Sequence, residues 1–223
     1  MNRSTLSRTA FASASAATVL GAVLGADRLH RFAKPLIAPS LMAGLPKPAS
    51  TLGLALTAAT VGDVLLLDPD DDSRILHGAA SFAVMQGCYC GLLRARGARV
   101  TASAAAPRAA GWLLAVVSMA TRSPDVAPGL GAYGLTLASM STLAADPTLV
   151  PGARTAAGVV VPGADPASRI ALGGVLFTVS DALIVARRLL LTTESHRRAA
   201  EGVILATYAV AQLFLVEGLS RKK

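Results

Sequence analysis

Charge is the first thing this chain has little of. Asp, Glu, Lys and Arg make up 15% of its 223 residues, where soluble globular proteins carry about 25%. Hydrophobic residues make up 53%, and the apolar runs follow one another too closely for a soluble domain to fit between them. Aromatic residues are scarce at 4%, so there is no platform on which nucleic-acid bases would stack. The net charge of +8 therefore makes no case for nucleic acid. Its basic residues sit in short clusters between apolar runs, where they set membrane topology. Only two cysteines occur, Cys88 and Cys90. At i and i+2 of a helix they point in different directions, which disfavours a disulfide and makes no CxxC site. The chain also lacks HExxH, GxSxG and a phosphate-binding glycine loop, so neither a metallohydrolase nor a serine hydrolase is signalled. Ser180 beside Asp181 keeps a nucleophile open. No metal and no cofactor is expected.

What the chain does have is a series of apolar segments bounded by Pro, Gly and charge. A spanning helix takes about 20 predominantly apolar residues. The segments fall near 9–26, 33–47, 50–67, 74–94, 108–123, 127–145, 167–188 and 199–219. The expectation is an all-α fold, a polytopic transmembrane helix bundle of about eight spans forming a single domain over 1–223. Seven spans is the chief competitor, obtained by dropping the second, which is short and carries Pro35 and Pro39. Residues 1–26 share the first two regions of a signal peptide, but further apolar segments follow at once, so they are read as a retained first span. The GVVV piece at 158–161 is too short to span and is expected to be a re-entrant or surface segment. With eight spans, twelve Lys and Arg residues lie on the side of the termini, Arg221, Lys222 and Lys223 among them, and nine on the other. The positive-inside rule then places both termini in the cytoplasm. High Ala, Arg and Gly content points to a GC-rich bacterial genome, and the expected location is a bacterial inner membrane.

Two acidic residues lie inside these segments, Asp63 in LTAATVGDVLLL and Asp181 in LGGVLFTVSDALIVA. A carboxyl at the centre of a spanning helix costs roughly 2.5–3.5 kcal/mol by insertion scales, so it rarely persists without a role. The third and seventh spans run in the same direction, and each aspartate falls five or six residues before the next charged residue. At 1.5 Å per residue both would lie roughly 8–9 Å below the outer boundary, at matching depth, able to face one another. Two carboxylates in one dry site do not both ionise easily, which leaves a proton available. Lys34, Gln86, Tyr133, Tyr208 and Gln212 are the polar residues of neighbouring segments and are candidates for substrate binding or support. VGDVLLL and VSDALIV read alike, which points to two four-helix halves related by a parallel repeat.

Six segments in order carry a family resemblance: KPLIAPSLMAG (34–44), LALTAATVGDVLLL (54–67), HGAASFAVMQGCY (77–89), GAYGLTLASM (131–140), GGVLFTVSDALIVARRL (173–189) and ATYAVAQLFLVEGL (206–219). Together they resemble the YhhN/lysoplasmalogenase family of integral membrane proteins and span most of the chain. The family usually has a His in the fourth span where this chain has Gln86. The resemblance implies hydrolysis of the vinyl ether of a lysoplasmalogen, a 1-alkenyl-glycerophospholipid lacking its second chain, to a fatty aldehyde and the glycerophospho head group. Its partners would be that lysophospholipid and the bilayer, with no nucleic acid; the sequence leaves the oligomeric state open. Vinyl ether hydrolysis needs a proton donor and a carboxylate that steadies a cation and activates water, which Asp63 and Asp181 would supply as the catalytic pair. Two other readings stand beside it. One is a small proton-coupled transporter using the same aspartates, the other a structural protein in which they only pack helices.

Overall fold

The structure, a computed structural model, describes residues 2–68, 70–156 and 159–220. Gly158 of the GVVV piece and the C-terminal Arg221, Lys222 and Lys223 lie outside the described residues. The fold is all-α apart from one two-stranded hairpin. Nine α-helical segments are described: α1 Arg3–Leu24, α2 Asp27–Ala33, α3 Ile37–Ala43, α4 Thr51–Leu65, α5 Asp72–Ala95, α6 Ala102–Arg122, α7 Ala127–Ala144, α8 Ile170–Leu190 and α9 Glu194–Ser220. A 3₁₀ turn at Lys34–Leu36 joins α2 to α3, so these two form one kinked rod. Pro35 lies within that turn, where its missing N–H and its ring disfavour continuous α geometry. Eight rods therefore fall where the eight apolar segments were expected.

Local chemistry sets their ends. α1 stops at Gly25, whose φ of 68° is the left-handed conformation glycine adopts without strain. Ser50 and Asp71 cap α4 and α5 by accepting backbone N–H groups of Gly53 and Arg74. The DPDDD run thus starts a helix as well as forming a loop. Arg74 then reaches back to the carbonyls of Val64 and Leu65 at 3.0 Å each, and Lys34 bonds the carbonyl of Leu66 at 2.7 Å. Two cations cover the C-terminal carbonyls of α4, which have no partner inside the helix.

Among the described residues three helical stretches, Ala102–Arg122, Pro166–Leu190 and Glu194–Ser220, are long and apolar enough to cross a membrane. Thr51–Leu65 is a shorter apolar helix. α4 pairs with α5 and α8 with α9, while α7 packs on α5, α6 and α8. At the centre Phe82 (α5), Phe177 (α8) and Tyr208 (α9) meet edge to face, with ring centroids 5.7–6.3 Å apart, the arrangement favoured by ring quadrupoles. Such contacts fix the mutual register of three helices. α6 is different: only Ala104 and Met119 are buried along it, so it stands at the edge of the bundle. The hairpin pairs Thr155–Ala156 with Val159–Val160. Val160 is buried and Val161 exposed, so the described part of the piece expected to be re-entrant or superficial is a short strand with one side chain inward.

Candidate functional site

Asp63 lies in the last turn of α4, two residues before its end, and is 1% exposed. Tyr208 Oη donates to Asp63 Oδ2 at 2.9 Å. Behind it, Gln212 Nε2 donates to Tyr208 Oη at 3.3 Å, and Tyr89 Oη donates to Gln212 Oε1 at 2.7 Å. Tyr208 and Gln212 are one turn apart on α9, so both reach the same side of the helix. The four groups form a chain of donors that ends on the carboxyl. Lys34 is within electrostatic reach of Asp63.

Asp181 sits in the middle of α8 and is only half-buried. Tyr133 on α7 donates to Asp181 Oδ2. Gln86 Nε2 donates to Tyr133 Oη at 3.1 Å, and Thr136 Oγ1 donates to Gln86 Oε1 at 2.5 Å. The pattern repeats: hydroxyl to glutamine, glutamine to tyrosine, tyrosine to aspartate. The two chains share no residue. In a low-dielectric interior such chains polarise along their length and hold their end group in one orientation.

Both aspartates line a single cavity of about 530 Å³. Phe82, Phe177 and Tyr208 form its inner wall, and Lys34, Arg187, Arg188 and Glu201 lie at one end. Its outer wall is a stripe of α6 at helical spacing, Arg108, Gly111, Trp112, Ala115, Val116 and Met119. Two side-chain bonds tie that stripe to α7: Arg108 Nε to Ser141 Oγ at 2.8 Å and Trp112 Nε1 to the Gly131 carbonyl at 2.9 Å. Most of the remaining lining is aliphatic, and Val159 of the hairpin joins it. A long apolar chamber with a few convergent polar groups is the usual form of a small-molecule site.

The YhhN family profile matches residues 29–219 of the 223-residue chain. The chain belongs to the YhhN family. No curated protein and no solved structure matches it. In this YhhN protein Asp63, Tyr208 and Gln212 meet in one chain, and Asp181, Tyr133 and Gln86 in the other. Lys34 stands apart, bonded to a carbonyl and lining the cavity. It occupies the kink of the second rod, not its opening turn. Asp63 is two residues from the end of α4, and Asp181 is nine from the end of α8. At the end of α4 Arg74 holds the Leu65 carbonyl and Lys34 that of Leu66. The aspartates are not held by one shared partner; each has its own phenol.

Sequence reasoning missed Tyr89 and Thr136, which begin the two chains, and Arg187, Arg188, Arg108 and Trp112 of the cavity. Arg187 and Arg188 looked like topology charges. Tyr89 was hidden between the two cysteines, which are free and half-buried. Among the described residues no group of three or more His, Cys, Asp or Glu is placed to hold a metal ion.

Proposed function

We propose that this YhhN protein is a membrane-embedded hydrolase of the vinyl ether bond of a lysoplasmalogen, with Asp63 and Asp181 as its acid–base pair. The observation that carries the reading is that two intrahelical carboxyls, each fixed by a tyrosine, line one largely apolar chamber. We further propose that all eight rods cross the bilayer with both termini cytoplasmic, which puts the Lys34 end of the chamber outermost.

The half-buried position of Asp181 makes it the group that meets the alkene first. Neither an arginine nor a lysine bonds it among the described residues, and its Oδ2 is taken by Tyr133, which leaves Oδ1 to carry a proton. Asp63, which accepts from Tyr208 and feels the positive charge of Lys34, serves as the carboxylate. Asp181 protonates the β carbon of the vinyl ether, and the double-bond electrons form the new C–H bond. Positive charge then develops on the ether carbon and oxygen, where a fixed carboxylate stabilises it. Water adds to that carbon as Asp63 takes its proton, giving a hemiacetal. Asp63 returns this proton to the glycerol oxygen as the C–O bond breaks, while Asp181 accepts the hemiacetal hydroxyl proton. Aldehyde and glycerophospho head group leave, and both carboxyls are back in their starting states.

The test is release of fatty aldehyde from a lysoplasmalogen by the purified protein, beside the Asp63→Asn/Asp181→Asn double variant. Aldehyde from the wild type alone supports the reading. No aldehyde from folded wild type sinks it and favours a carrier that uses the same carboxyls.

A further inference from the structure

Arg187 is a buried cation that its partners hold loosely. Its side chain is 8% exposed, yet Nη2 is 3.6 Å from Asp70 and Nε 3.4 Å from Glu201. Among the described residues Nε has no acceptor in hydrogen-bond geometry. More exposed neighbours are gripped better: Arg197 reaches the same Asp70 oxygen at 2.6 Å, and Arg188 reaches Asp72 at 2.6 Å. Buried guanidinium groups are ordinarily paired and hydrogen-bonded, because an unpaired donor removed from water costs free energy. Lys34, 5% exposed, bonds one carbonyl, and among the described residues it forms no ion pair. Lys34, Arg187 and Arg188 all line the same end of the chamber.

The spacing to the aspartate is informative. Arg187 and Arg188 follow Asp181 by six and seven residues on α8, about 9–10 Å of helical rise. In a lysoplasmalogen about seven bonds separate phosphorus from the carbon that is protonated, and an extended chain gains about 1.2 Å per bond, roughly 8 Å in all. The two lengths match, so a phosphate at the arginines brings the vinyl ether to the level of Asp181 along α8.

We propose that Arg187, with Lys34 beside it, is a binding site for a phosphate anion at the mouth of the chamber. A guanidinium presents its donors in the fork that phosphate oxygens match. Glu201 and Asp70 hold the arginine in place without satisfying it, so an arriving phosphate gains the free donor. That the phosphate belongs to a hydrolysed lipid rests on the function proposed above; the anion site does not.

Binding is measured with the purified full-length protein in an uncharged, phosphate-free detergent, using probes that this chemistry cannot cleave. These are a saturated 1-alkyl lysophospholipid, the matching 1-alkylglycerol without phosphate, and glycerol phosphate without a chain. Arg187→Gln is expected to weaken the lysophospholipid by roughly tenfold or more and leave the alkylglycerol unchanged. Glu201→Gln removes a competing carboxylate and is expected to tighten the lysophospholipid, a gain that misfolding would not produce. Arg187-dependent binding of glycerol phosphate alone supports the same site with a water-borne ligand, whereas dependence confined to the lysophospholipid places the ligand in the membrane. Equal losses for phosphate-bearing and phosphate-free lipids overturn the site, as does binding indifferent to both substitutions or absent in the wild type. Failure to release aldehyde while Arg187-dependent binding persists removes the hydrolase and leaves the site standing.

Discussion

Gln86 and Gln212 occupy the same place in two separate hydrogen-bond chains. Each is fully buried and donates its side-chain amide to the tyrosine that holds one aspartate. Each also accepts from a hydroxyl, Thr136 in one case and Tyr89 in the other. An amide both donates and accepts, so it passes orientation from one hydroxyl to the next without carrying charge. The contact each glutamine makes is therefore a positioning one.

Asp63→Asn and Asp181→Asn are each expected to keep the fold and to lower aldehyde release by about 10²–10⁴-fold, the range for loss of a positioned acid or base. The amide oxygen of Asn still accepts the tyrosine bond, so the melting temperature should move little. Near-normal turnover in either variant, measured with thermal stability, would refute the acid–base pair.

The two chains should behave as separate units. In a double-mutant cycle, Tyr133→Phe and Gln86→Leu are expected to be non-additive in kcat, because removing either breaks the same chain. Tyr208→Phe with Gln86→Leu should be close to additive, since those residues lie in different chains. Steady-state aldehyde release measures both cycles. Strong coupling across the chains would show that the carboxyls share one network.

Gly111 faces the chamber from α6, and a Cβ built there meets nothing within 4 Å. Gly111→Leu should therefore fold normally and occupy space inside the cavity. The expected result is a shift toward shorter alkenyl chains, seen as a rise in KM that grows with chain length while short-chain turnover holds. A change independent of chain length would place the hydrocarbon elsewhere.

Arg96 donates to the last carbonyls of α9, those of Gly218 and Leu219, at 2.7 Å each. Among the described residues those groups have no donor four positions on in their own helix. Arg96→Met is expected to cost about 1–3 kcal/mol, the range for charged hydrogen bonds. The loss should appear as a lower melting temperature with kcat per folded molecule unchanged, because Arg96 is remote from both aspartates in the chain of contacts.

Much of this was legible from residues alone. The segments around Asp63 and Asp181 fell on helices, because unbroken apolar runs between Pro, Gly and charge leave a chain few alternatives in hydrocarbon. The 3₁₀ turn at Lys34–Leu36 has a different local cause, Pro35. Which tyrosine serves which aspartate was not legible. Tyr208 on α9 reaches Asp63 and Tyr133 on α7 reaches Asp181, pairings that depend on helix neighbourhood and not on spacing. Arg187 was unreadable for a different reason. An arginine at a helix end looks the same in sequence whether it faces water or a chamber.

The placement of α6 has a further consequence. Its contacts with the bundle lie along one seam, chiefly with α7, and its other side presents Leu113, Leu114 and Val117 outward. Regions with few buried contacts open at the lowest free energy. The chamber's least secured boundary is therefore a flank, the wall that α6 supplies. Thermal breathing should admit an oily chain from the side more readily than a hydrated solute from either end. The route of entry would then discriminate before any binding group does.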